Sequence, residues 1–237
     1  MTSPTQEHSR PDSGSPTATI ALSSAYSAKS NRYFTGARRT FLDQLPSNPA
    51  ARLLELGCGN GNTAAAALAE GRCGWACGIE LCEGPAAEAR AKLNQVIVGD
   101  IELLSLDLPP ASFDVLLMSE VLEHLRDPRA VLLKLRALLK PGAIVLAGSP
   151  NVCHYSVVMM LLRGRWNYER EGIMDETHVR WFSPATYRQL FENAGYLVER
   201  VRPASPLHTK GRVANALLLG RFEYLFHSQI ELRARCP

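Results

Sequence analysis

Short apolar runs alternate with longer amphipathic stretches along most of the chain. The run Phe113–Met118 (FDVLLM) is continuously apolar, which is typical of a strand covered on both faces. By the same reasoning, strands are predicted at Arg52–Leu56, Gly74–Glu80, Gln95–Val98, Phe113–Met118, Ala143–Ala147, Tyr196–Arg202 and His227–Arg235. Because helical stretches separate successive strands, the connections should be right-handed crossovers in a largely parallel sheet.

Helix signals fill the stretches between these strands. Asp127 can cap a helix that begins at Pro128 and presents apolar residues on one face, and Lys140-Pro141-Gly142 is expected to end it. Other helices are predicted at Ala25–Leu45, Thr63–Glu70, Pro85–Leu93, Pro184–Asn193 and near 211–226, with an apolar helix early in 151–183. Since the last helix separates the two final strands, the closing strand is expected to lie antiparallel at an edge of the sheet.

Length and composition suit one globular domain. The chain has 237 residues, of which 46% are hydrophobic and 21% charged. Residues 1–20 are poor in large apolar side chains, which predicts a disordered tail before a domain at 21–237. The net charge of +3, spread over scattered Lys and Arg, disfavours a nucleic-acid partner. The longest apolar run, Val157–Leu162, is too short for a membrane span, and no signal peptide is evident, so we expect a soluble, cytoplasmic protein.

The six cysteines do not form a CxxC pair, so a disulfide framework is not expected. Cys73, Cys77 and Cys82 form a sequence cluster that can be interpreted as metal ligands or as small buried thiols. Because no histidine or second cysteine pair completes a zinc-like set, the thiol interpretation is preferred and no metal is predicted.

The segment Leu53–Gly61 (LLELGCGNG) carries the first chemical signal. A strand that runs into closely spaced glycines at a helix start brings backbone amides near a nucleotide-like ligand. The third glycine of the dinucleotide fingerprint GxGxxG would fall on Asn62, which favours a ligand other than a dinucleotide. The carboxylate of Glu55 would repel a diphosphate and attract an ammonium or sulfonium, by about 3 kcal/mol at ~5 Å and an effective dielectric of ~20.

Two more acidic residues follow strands. Glu80 ends the second strand and can accept hydrogen bonds from both ribose hydroxyls, each contributing roughly 1.5–3 kcal/mol. Asp100 follows the third strand, where its carboxylate can accept from an adenine amino group while the amide of Ile101 serves a ring nitrogen. Each acid has an alternative as a helix cap or turn residue. Their shared position at the carboxyl edge of the sheet, beside one glycine loop, favours a ligand site.

Five motifs in order resemble the class I S-adenosylmethionine-dependent methyltransferases. They lie across roughly residues 33–202 and read LLELGCGNG, GIE, VGD, FDVLLMSEVLEHLRDP and LLKPGAIVLAGSPN. The bacterial small-molecule group related to the ubiquinone-biosynthesis O-methyltransferases is the most similar. The resemblance implies an α/β, Rossmann-like, doubly wound seven-stranded sheet, mostly parallel with an antiparallel last strand.

The resemblance also implies a cofactor, S-adenosyl-L-methionine, and the residues that hold it. The glycines of the loop would wrap the amino-acid part of the cofactor, and the end of the second strand would hold its ribose. The start of the loop after the third strand would bind the adenine, and the end of the fourth strand would lie beside the methionine moiety. The predicted cofactor-binding set is Glu55, Gly57, Cys58, Gly59, Gly61, Glu80, Leu81, Asp100, Ile101, Ser119 and Glu120.

Two histidines are candidates for handling the acceptor. His124 follows the fourth strand, and His178 lies in an aromatic segment (DETHVRWF) that can fold over the site, with Asp175, Arg180 and Trp166 as neighbours in sequence. Both are predicted catalytic residues that could take a proton from an acceptor hydroxyl. The alternatives remain that His124 packs at the sheet edge and that no general base is used.

The region near 151–183 is predicted to be a lid or an acceptor-binding insertion. Its apolar-then-basic stretch, Cys153–Trp166, can be a lid helix, an acceptor wall, a helix at a membrane surface or an ordinary core-packed helix, the last being preferred. The fourth strand ends in MSEV rather than Asn-Pro-Pro-aromatic, and no Pro-Cys pair is present, which disfavours methylation of nucleic-acid bases.

These observations predict an enzyme that methylates a small molecule. A hydroxyl oxygen is the leading acceptor, with nitrogen and carbon open. One rival is an NAD-dependent oxidoreductase, which Asn62 and Glu55 disfavour. Another is a cofactor-binding protein that regulates or escorts a partner biosynthetic enzyme, suggested by Pro150-Asn151 and the LLRGR stretch at Leu161–Arg165. A protein partner or a homodimer is therefore possible.

Overall fold

Seven strands form one sheet in the order β3-β2-β1-β4-β5-β7-β6. The structure, a computed structural model, describes residues 36–207, 211–212, 215–216 and 219–237. The strands are β1 (Arg52–Leu56), β2 (Trp75–Glu80), β3 (Gln95–Val98), β4 (Phe113–Ser119), β5 (Leu139–Pro150), β6 (Leu197–Pro203) and β7 (Gln229–Arg235). Within this sheet, β7 runs antiparallel to the other six strands, which are parallel to one another. The predicted Rossmann-like, mostly parallel sheet with an antiparallel last strand is confirmed.

The sheet is covered on both faces because successive residues of the central strands point to opposite sides. Leu53, Val115 and Leu117 belong to one core cluster, while Leu54 and Leu116 belong to the other. All five side chains are almost completely buried. This arrangement explains why the β1 and β4 sequences are continuously apolar rather than alternating, and it defines a doubly wound sheet.

Six helices with complete bounds and two 3₁₀ turns lie among the described residues, in addition to the helical residues 211–212 and 215–216. They are α1 (Arg39–Leu42), α2 (Asn62–Ala69), α3 (Glu83–Arg90), α4 (Pro128–Arg136), α5 (Tyr155–Leu162), α6 (Pro184–Asn193) and the turns Leu122–His124 and Glu223–Phe226. The predicted cap at Asp127 is present. Asp127 accepts from the amide of Ala130, and Ser183 forms a capping box with Thr186. None of the described helices is long and apolar enough to cross a membrane.

The expected edge position of the closing strand is wrong. β7 lies between β5 and β6, and β6 is the edge strand. The reason is visible in the side chains, because Ile230, Leu232 and Ala234 of β7 are buried whereas Leu197 of β6 is 60% exposed. A strand that must be covered by neighbours on both sides suits the interior, and the more polar LVERVRP suits the edge.

The expected helix stop at Lys140-Pro141-Gly142 is also wrong. Helix α4 ends at Arg136, and these residues already belong to β5. The β4–β5 pairing shifts register between Phe113 and Val115, opposite this part of β5. Pro141 has no N–H to donate, and such an irregularity is one of the places where a sheet accepts proline.

The first and last predicted helices are only partly present. Residues 36–38 are not helical, so the helix predicted over Ala25–Leu45 is limited in the described residues to α1. Residues 219–222 form a turn instead of continuing the helix predicted near 211–226. Residues 25–35 of the first helix and the predicted tail at 1–20 lie outside the described residues.

The stretch between β5 and α6 is an excursion whose two ends lie side by side. Asn151 forms a bridge with Phe182, and the amide of Val152 donates to the carbonyl of Phe182 at 3.0 Å. Helix α5 lies within this excursion. Only Val157 of α5 is fully buried, and Leu162 is 75% exposed, so the preferred interpretation of a core-packed helix is wrong.

Candidate functional site

A cleft of about 370 Å³ opens at the carboxyl ends of the first four strands. Open α/β sheets bind ligands at this edge, where the strand order reverses direction, and here β1 and β4 are the adjacent strands on either side of that point. The cleft brings together every predicted site residue except Gly61: Glu55, Gly57, Cys58, Gly59, Glu80, Leu81, Asp100, Ile101, Ser119, Glu120, His124 and His178.

The loop after β1 requires glycine for two different reasons. Gly57 has φ +68°, and a Cβ there would lie 2.4 Å from Cγ2 of Val121. Gly61 has φ +78° and precedes α2, where a Cβ would lie 3.1 Å from Ala89. The structure thus places Gly57 on the cleft wall and packs Gly61 against α3.

Cys58 connects the glycine loop to β2. A Cβ on Gly78 would lie 2.5 Å from the sulfur of Cys58, so a residue without a side chain allows the loop to rest on the strand. Burial raises the pKa of the Cys58 thiol, and burial raises that of Cys73 to about 11. These neutral, buried thiols match the packing interpretation of the cysteines.

Glu80 ties two backbone segments together at the end of β2. One carboxylate oxygen accepts from the amide of Gly59 at 2.8 Å, and the other accepts from the amide of Cys82 at 3.0 Å. Burial raises the pKa of Glu80, against the opposing effect of these amides. The carboxylate is therefore fixed in place, and each oxygen retains a second lone pair for a ligand hydroxyl.

Glu55 lies deeper in the cleft, beneath the first turn of α2. Its Oε2 accepts from the amide of Ala64 at 3.1 Å. Burial raises the pKa of Glu55 to about 8, and the nearby carboxylate of Glu80 acts in the same direction. The side chain is therefore mostly neutral at pH 7 in the ligand-free protein, and a cationic ligand would favour its ionised form.

The loop after β3 presents Asp100 and Ile101. The Asp100 carboxylate accepts from the amide of Glu102 at 2.9 Å, which holds the turn. Lys134 of α4 donates to the carbonyl of Ile101 at 2.7 Å and so fixes the loop from below. The two residues predicted to bind adenine therefore sit on a loop fixed by hydrogen bonds at one end of the cleft.

At the end of β4, Glu120 adopts φ +54°, which is unusual for a residue with a side chain. Its carboxylate lies 3.5 Å from the guanidinium of Arg38. Burial raises the pKa of Glu120, and Arg38 opposes that rise. Arg38 was not predicted as a site residue; it reaches the cleft from the segment before α1, far from the glycine loop in sequence.

The opposite wall of the cleft contains two buried histidines in contact. The rings of His124 and His178 lie 4.7 Å apart, centroid to centroid, at 60°. The 3₁₀ turn Leu122–His124 brings them together, because the carbonyl of Glu123 accepts from the amides of Val179 and Arg180 at 2.9 and 3.0 Å. Two residues 54 positions apart in the sequence thus share one surface.

Hydrogen bonds fix the orientation of both rings. Nδ1 of His124 lies 3.1 Å from the carbonyl of Thr177, and Nδ1 of His178 lies 3.1 Å from the carbonyl of Ile173. A carbonyl only accepts, so each Nδ1 carries the hydrogen, and Nε2 of each ring carries the lone pair. Of the predicted neighbours of His178, Asp175 accepts from the His178 amide through its carbonyl at 3.0 Å, whereas Trp166 packs edge-on against Trp181 with ring centroids 5.2 Å apart.

Glu123 lies beside the two histidines, and the sequence did not predict it. It lies between Leu122 and His124 in an apparently apolar stretch, yet its carboxylate is 1% exposed and its Oε2 accepts from Ser149 at 3.3 Å. Burial raises its pKa well above the usual range, and the neighbouring Glu120 adds to this. The repeated acids in SEVLEH were the available signal.

The charge of the wall favours a cationic ligand. Among the described residues that line the cleft are seven Asp or Glu side chains and a single Arg. A diphosphate would meet repulsion from the ionised members of this set, whereas a sulfonium and an ammonium would be attracted by them and would favour the ionised form of Glu55. The donors and acceptors therefore fit S-adenosylmethionine better than a dinucleotide.

Comparison with known proteins gives the family. A family model described as a methyltransferase domain matches residues 29–201. A probable S-adenosylmethionine-dependent methyltransferase of Mycolicibacterium smegmatis is 30% identical over 147 residues, which span 62% of this chain and 52% of the relative. A ubiquinone biosynthesis O-methyltransferase of Cereibacter sphaeroides is 30% identical over 169 residues, spanning 69% of this chain and 64% of the relative. The chain thus spans about half to two thirds of these relatives.

Solved structures agree on the fold. A S-adenosylmethionine-dependent methyltransferase from Archaeoglobus fulgidus superposes with a TM-score of 0.64 at 21% identity, covering 86% of this chain and 96% of that one. The fold and cleft define a class I S-adenosylmethionine-dependent methyltransferase domain. Because the family model covers most of the chain, this protein belongs to the methyltransferase-domain family, with relatives among the ubiquinone-biosynthesis O-methyltransferases and S-adenosylmethionine as its cofactor.

Proposed function

We propose that this protein transfers a methyl group from S-adenosylmethionine to a hydroxyl oxygen of a small molecule that binds beside His124 and His178. The observation that carries the proposal is the pair of oriented, buried rings on the wall of the same cleft that contains Glu80 and the glycine loop. A general base must lie within reach of the acceptor, and a neutral imidazole with a lone pair on Nε2 suits that task.

In this proposal the cofactor lies along the strand ends. Glu80 accepts from the ribose hydroxyls, Asp100 and Ile101 contact the adenine, and the Gly57–Gly59 backbone approaches the amino-acid part. Ser119 and Glu120 lie beside the methionine moiety. Arg38, the positively charged side chain at this end, suits the methionine carboxylate, and Glu120 suits its ammonium.

When bound, the cofactor would supply an electrophilic methyl carbon for the acceptor oxygen, and the electron pair of the broken S–C bond would stay on its sulfur. The protein has to align the acceptor and remove its proton. Nε2 of His178 or His124 receives that proton as the oxygen attacks. Burial of both rings keeps bulk water away from this position.

Substitution of His178 tests the proposal. We expect His178→Ala to lower turnover by about 100-fold or more, the usual effect of losing acid–base catalysis, while affinity for S-adenosylhomocysteine stays near that of the wild type. Methyl transfer is measured with labelled cofactor and a panel of phenols and hydroxy acids extended by a cell metabolite extract, and affinity is measured by calorimetry.

His154→Asn is the matched control, because His154 caps α5 outside the cleft and asparagine retains a capping acceptor. A His178→Ala variant with full activity would exclude the imidazole from the reaction. Labelled nitrogen or carbon products would contradict the hydroxyl acceptor.

A second candidate function is that of a cofactor-binding partner protein. Helix α5 leaves Tyr155, Leu161 and Leu162 more than half exposed, a surface that a partner could cover. A structural neighbour with a TM-score of 0.59 is a putative methyltransferase of Haloferax volcanii in complex with the methyltransferase activator Trm112. Tight binding of S-adenosylhomocysteine in thermal-shift measurements, with no methyl transfer to any acceptor tested, would favour this function.

A further inference from the structure

Two oxygens of one residue hold the ring of His124 at Nδ1. This nitrogen lies 3.1 Å from the carbonyl oxygen of Thr177 and 3.2 Å from the hydroxyl oxygen of the same residue. A carbonyl oxygen only accepts, so the Nδ1 hydrogen is shared between the two oxygens as a three-centre bond. The tautomer that results has the lone pair on Nε2, the nitrogen that a general base uses.

The hydroxyl of Thr177 accepts from His124 only when its own hydrogen points elsewhere, and Asp175 sets that direction. Oδ1 of Asp175 accepts from the Thr177 hydroxyl at 2.7 Å and from the Thr177 amide at 2.9 Å. Two donors on one carboxylate oxygen favour its ionised form. Each of the three residues is at most 9% exposed. Hydrogen bonds therefore run in one direction, from the His124 ring through a hydroxyl to a buried carboxylate.

We infer that Asp175 is a positioning residue for His124 in the proposed methyl transfer, and that it acts through the hydroxyl of Thr177. It keeps the ring hydrogen on Nδ1, and it stabilises the imidazolium that forms when Nε2 takes the proton of the acceptor hydroxyl. In that step the O–H bond breaks, an N–H bond forms on Nε2, and the electron pair left on oxygen forms the bond to the methyl carbon. The source of the proton rests on the proposed function, whereas the tautomer of the ring does not.

The turn that contains Asp175 also holds the second ring. The carbonyl of Asp175 accepts from the amide of His178 at 3.0 Å, and the rings of His178 and His124 lie 4.7 Å apart. One short segment thus fixes the ring of His124 by hydrogen bonds and packs another ring against it. Removal of His178 would leave the His124 ring less confined, which agrees with the large loss of turnover expected for His178→Ala.

Other charged groups on this part of the cleft wall have a different character from Asp175. They include His178, Glu123 of the 3₁₀ turn, Glu120 at the end of β4 with its partner Arg38, and Glu171 of the excursion. Burial raises the pKa of Glu123 well above the usual range, and it also raises the pKa of Glu120. These two carboxyl groups therefore hold less negative charge than exposed ones. An ionised carboxylate connected to an imidazole favours the protonated ring.

The tautomer and the pKa of His124 can be measured without an acceptor. The full chain, labelled with ¹⁵N in its histidine rings, is titrated by NMR, and His124→Gln assigns the signals of the ring. We expect the hydrogen of the neutral ring on Nδ1. Thr177→Val, which keeps the size of the side chain but removes the hydroxyl, should lower the pKa of His124 by at least about 0.5, and Asp175→Asn, which keeps an acceptor oxygen but removes the charge, should do the same.

Thr177→Ser is the matched control, because it restores the hydroxyl and should keep the wild-type pKa of His124. The signals of His154, which caps α5 outside the cleft, should not move in any of these variants. A wild-type ring with its hydrogen on Nε2 would overturn the inference, and this result does not depend on how the variants fold. An unchanged pKa of His124 in either Asp175→Asn or Thr177→Val would also overturn it.

Methyl transfer gives a second readout, measured as kcat against pH with the most active phenol or hydroxy acid of the panel. Asp175→Asn should lower kcat by about tenfold and move its acid limb to lower pH, because the base has lost the charge that favoured its protonation. Affinity for S-adenosylhomocysteine should not change, and Thr177→Ser should retain the wild-type profile. A lower kcat with an unmoved acid limb would indicate a structural role alone and would contradict the inference.

The inference and the proposed function can fail separately. If the ring titrations are as expected but no hydroxyl is methylated, the proposed function is wrong and the hydrogen-bond chain to His124 remains. If hydroxyls are methylated and both Asp175→Asn and Thr177→Val keep the wild-type profile, the proposed function stands and Asp175 has no positioning role.

Discussion

The two halves of the cleft are built in different ways. The cofactor half is assembled from the ends of β1, β2 and β3, and its key groups lie at or just past strand ends, as with Glu80 and Asp100. The acceptor half joins a 3₁₀ turn to the distant excursion between β5 and α6, through contacts such as the Glu123 carbonyl with the amides of Val179 and Arg180. The geometry of the cofactor half follows from the sheet, whereas the geometry of the acceptor half depends on tertiary contacts between loops.

This difference predicts that the two halves can be perturbed separately. Substitutions at the strand ends should change cofactor affinity and leave the histidine cluster in place. The His178→Ala variant described above should lower turnover and leave cofactor affinity near that of the wild type.

Gly57→Ala should have the largest effect on cofactor affinity. The new Cβ would lie 2.4 Å from Val121 and force a side chain onto φ +68°. Steric overlap and left-handed strain of roughly 1–3 kcal/mol each correspond to a loss on the order of 100-fold in affinity for S-adenosylhomocysteine. The double variant Gly57→Ala/Val121→Ala removes the overlap and should recover part of the loss in calorimetry. If Gly57→Ala bound S-adenosylhomocysteine with wild-type affinity, cofactor binding would not depend on a left-handed, side-chain-free residue at position 57.

Glu80→Ala should weaken cofactor binding at least about tenfold, because about two charge-assisted hydrogen bonds to the ribose are lost. The loop also loses the acceptor for the Gly59 amide, which adds to the effect. Glu83→Ala, a change to an exposed carboxylate at the start of α3 that pairs with Arg90, is the control. An unchanged dissociation constant in Glu80→Ala would exclude the ribose role.

Glu55 should have a smaller effect on cofactor affinity, and that effect should depend on pH. Its pKa near 8 means that the side chain gains charge as the pH rises from 7 to 9. A sulfonium is stabilised by the ionised form, so affinity for S-adenosylmethionine relative to S-adenosylhomocysteine should rise severalfold over this range. Both ligands share the same amino group, so its titration cancels in the ratio. The ratio should not vary with pH in Glu55→Gln; a flat ratio in the wild type would remove Glu55 from contact with the charge.

Sequence patterns predicted the parts of the molecule that local rules determine. The apolar FDVLLM run, the Asp127 cap and the acids at strand ends all follow from near neighbours in the chain. The position of β7 was not predictable in this way, because strand order depends on which partner covers Ile230 and Leu232. Pro141 was misinterpreted for a related reason, since the register shift that accommodates it belongs to the β4–β5 pair.

Within the site, residue type was easier to predict than placement. The spacing of the three glycines did not distinguish Gly57, which borders the cleft, from Gly61, which packs on α3. A 3₁₀ turn places Glu123 beside the two histidines, and the approach to α1 brings Arg38 to the cleft; neither geometry leaves a periodic signal. His124 and His178 were both proposed, but only the fold shows that their rings touch.

The two ends of the excursion between β5 and α6 are held together by hydrogen bonds, and this has a consequence for how such enzymes diversify. Asn151 meets Phe182, and its side chain also donates to the carbonyls of Tyr224 and His227 at 2.7 and 2.8 Å. A loop anchored at its base can be exchanged for one of another length without redirecting the strand before it or the helix after it. New substrates can then be acquired by grafting at this junction while the nucleoside crevice is inherited intact.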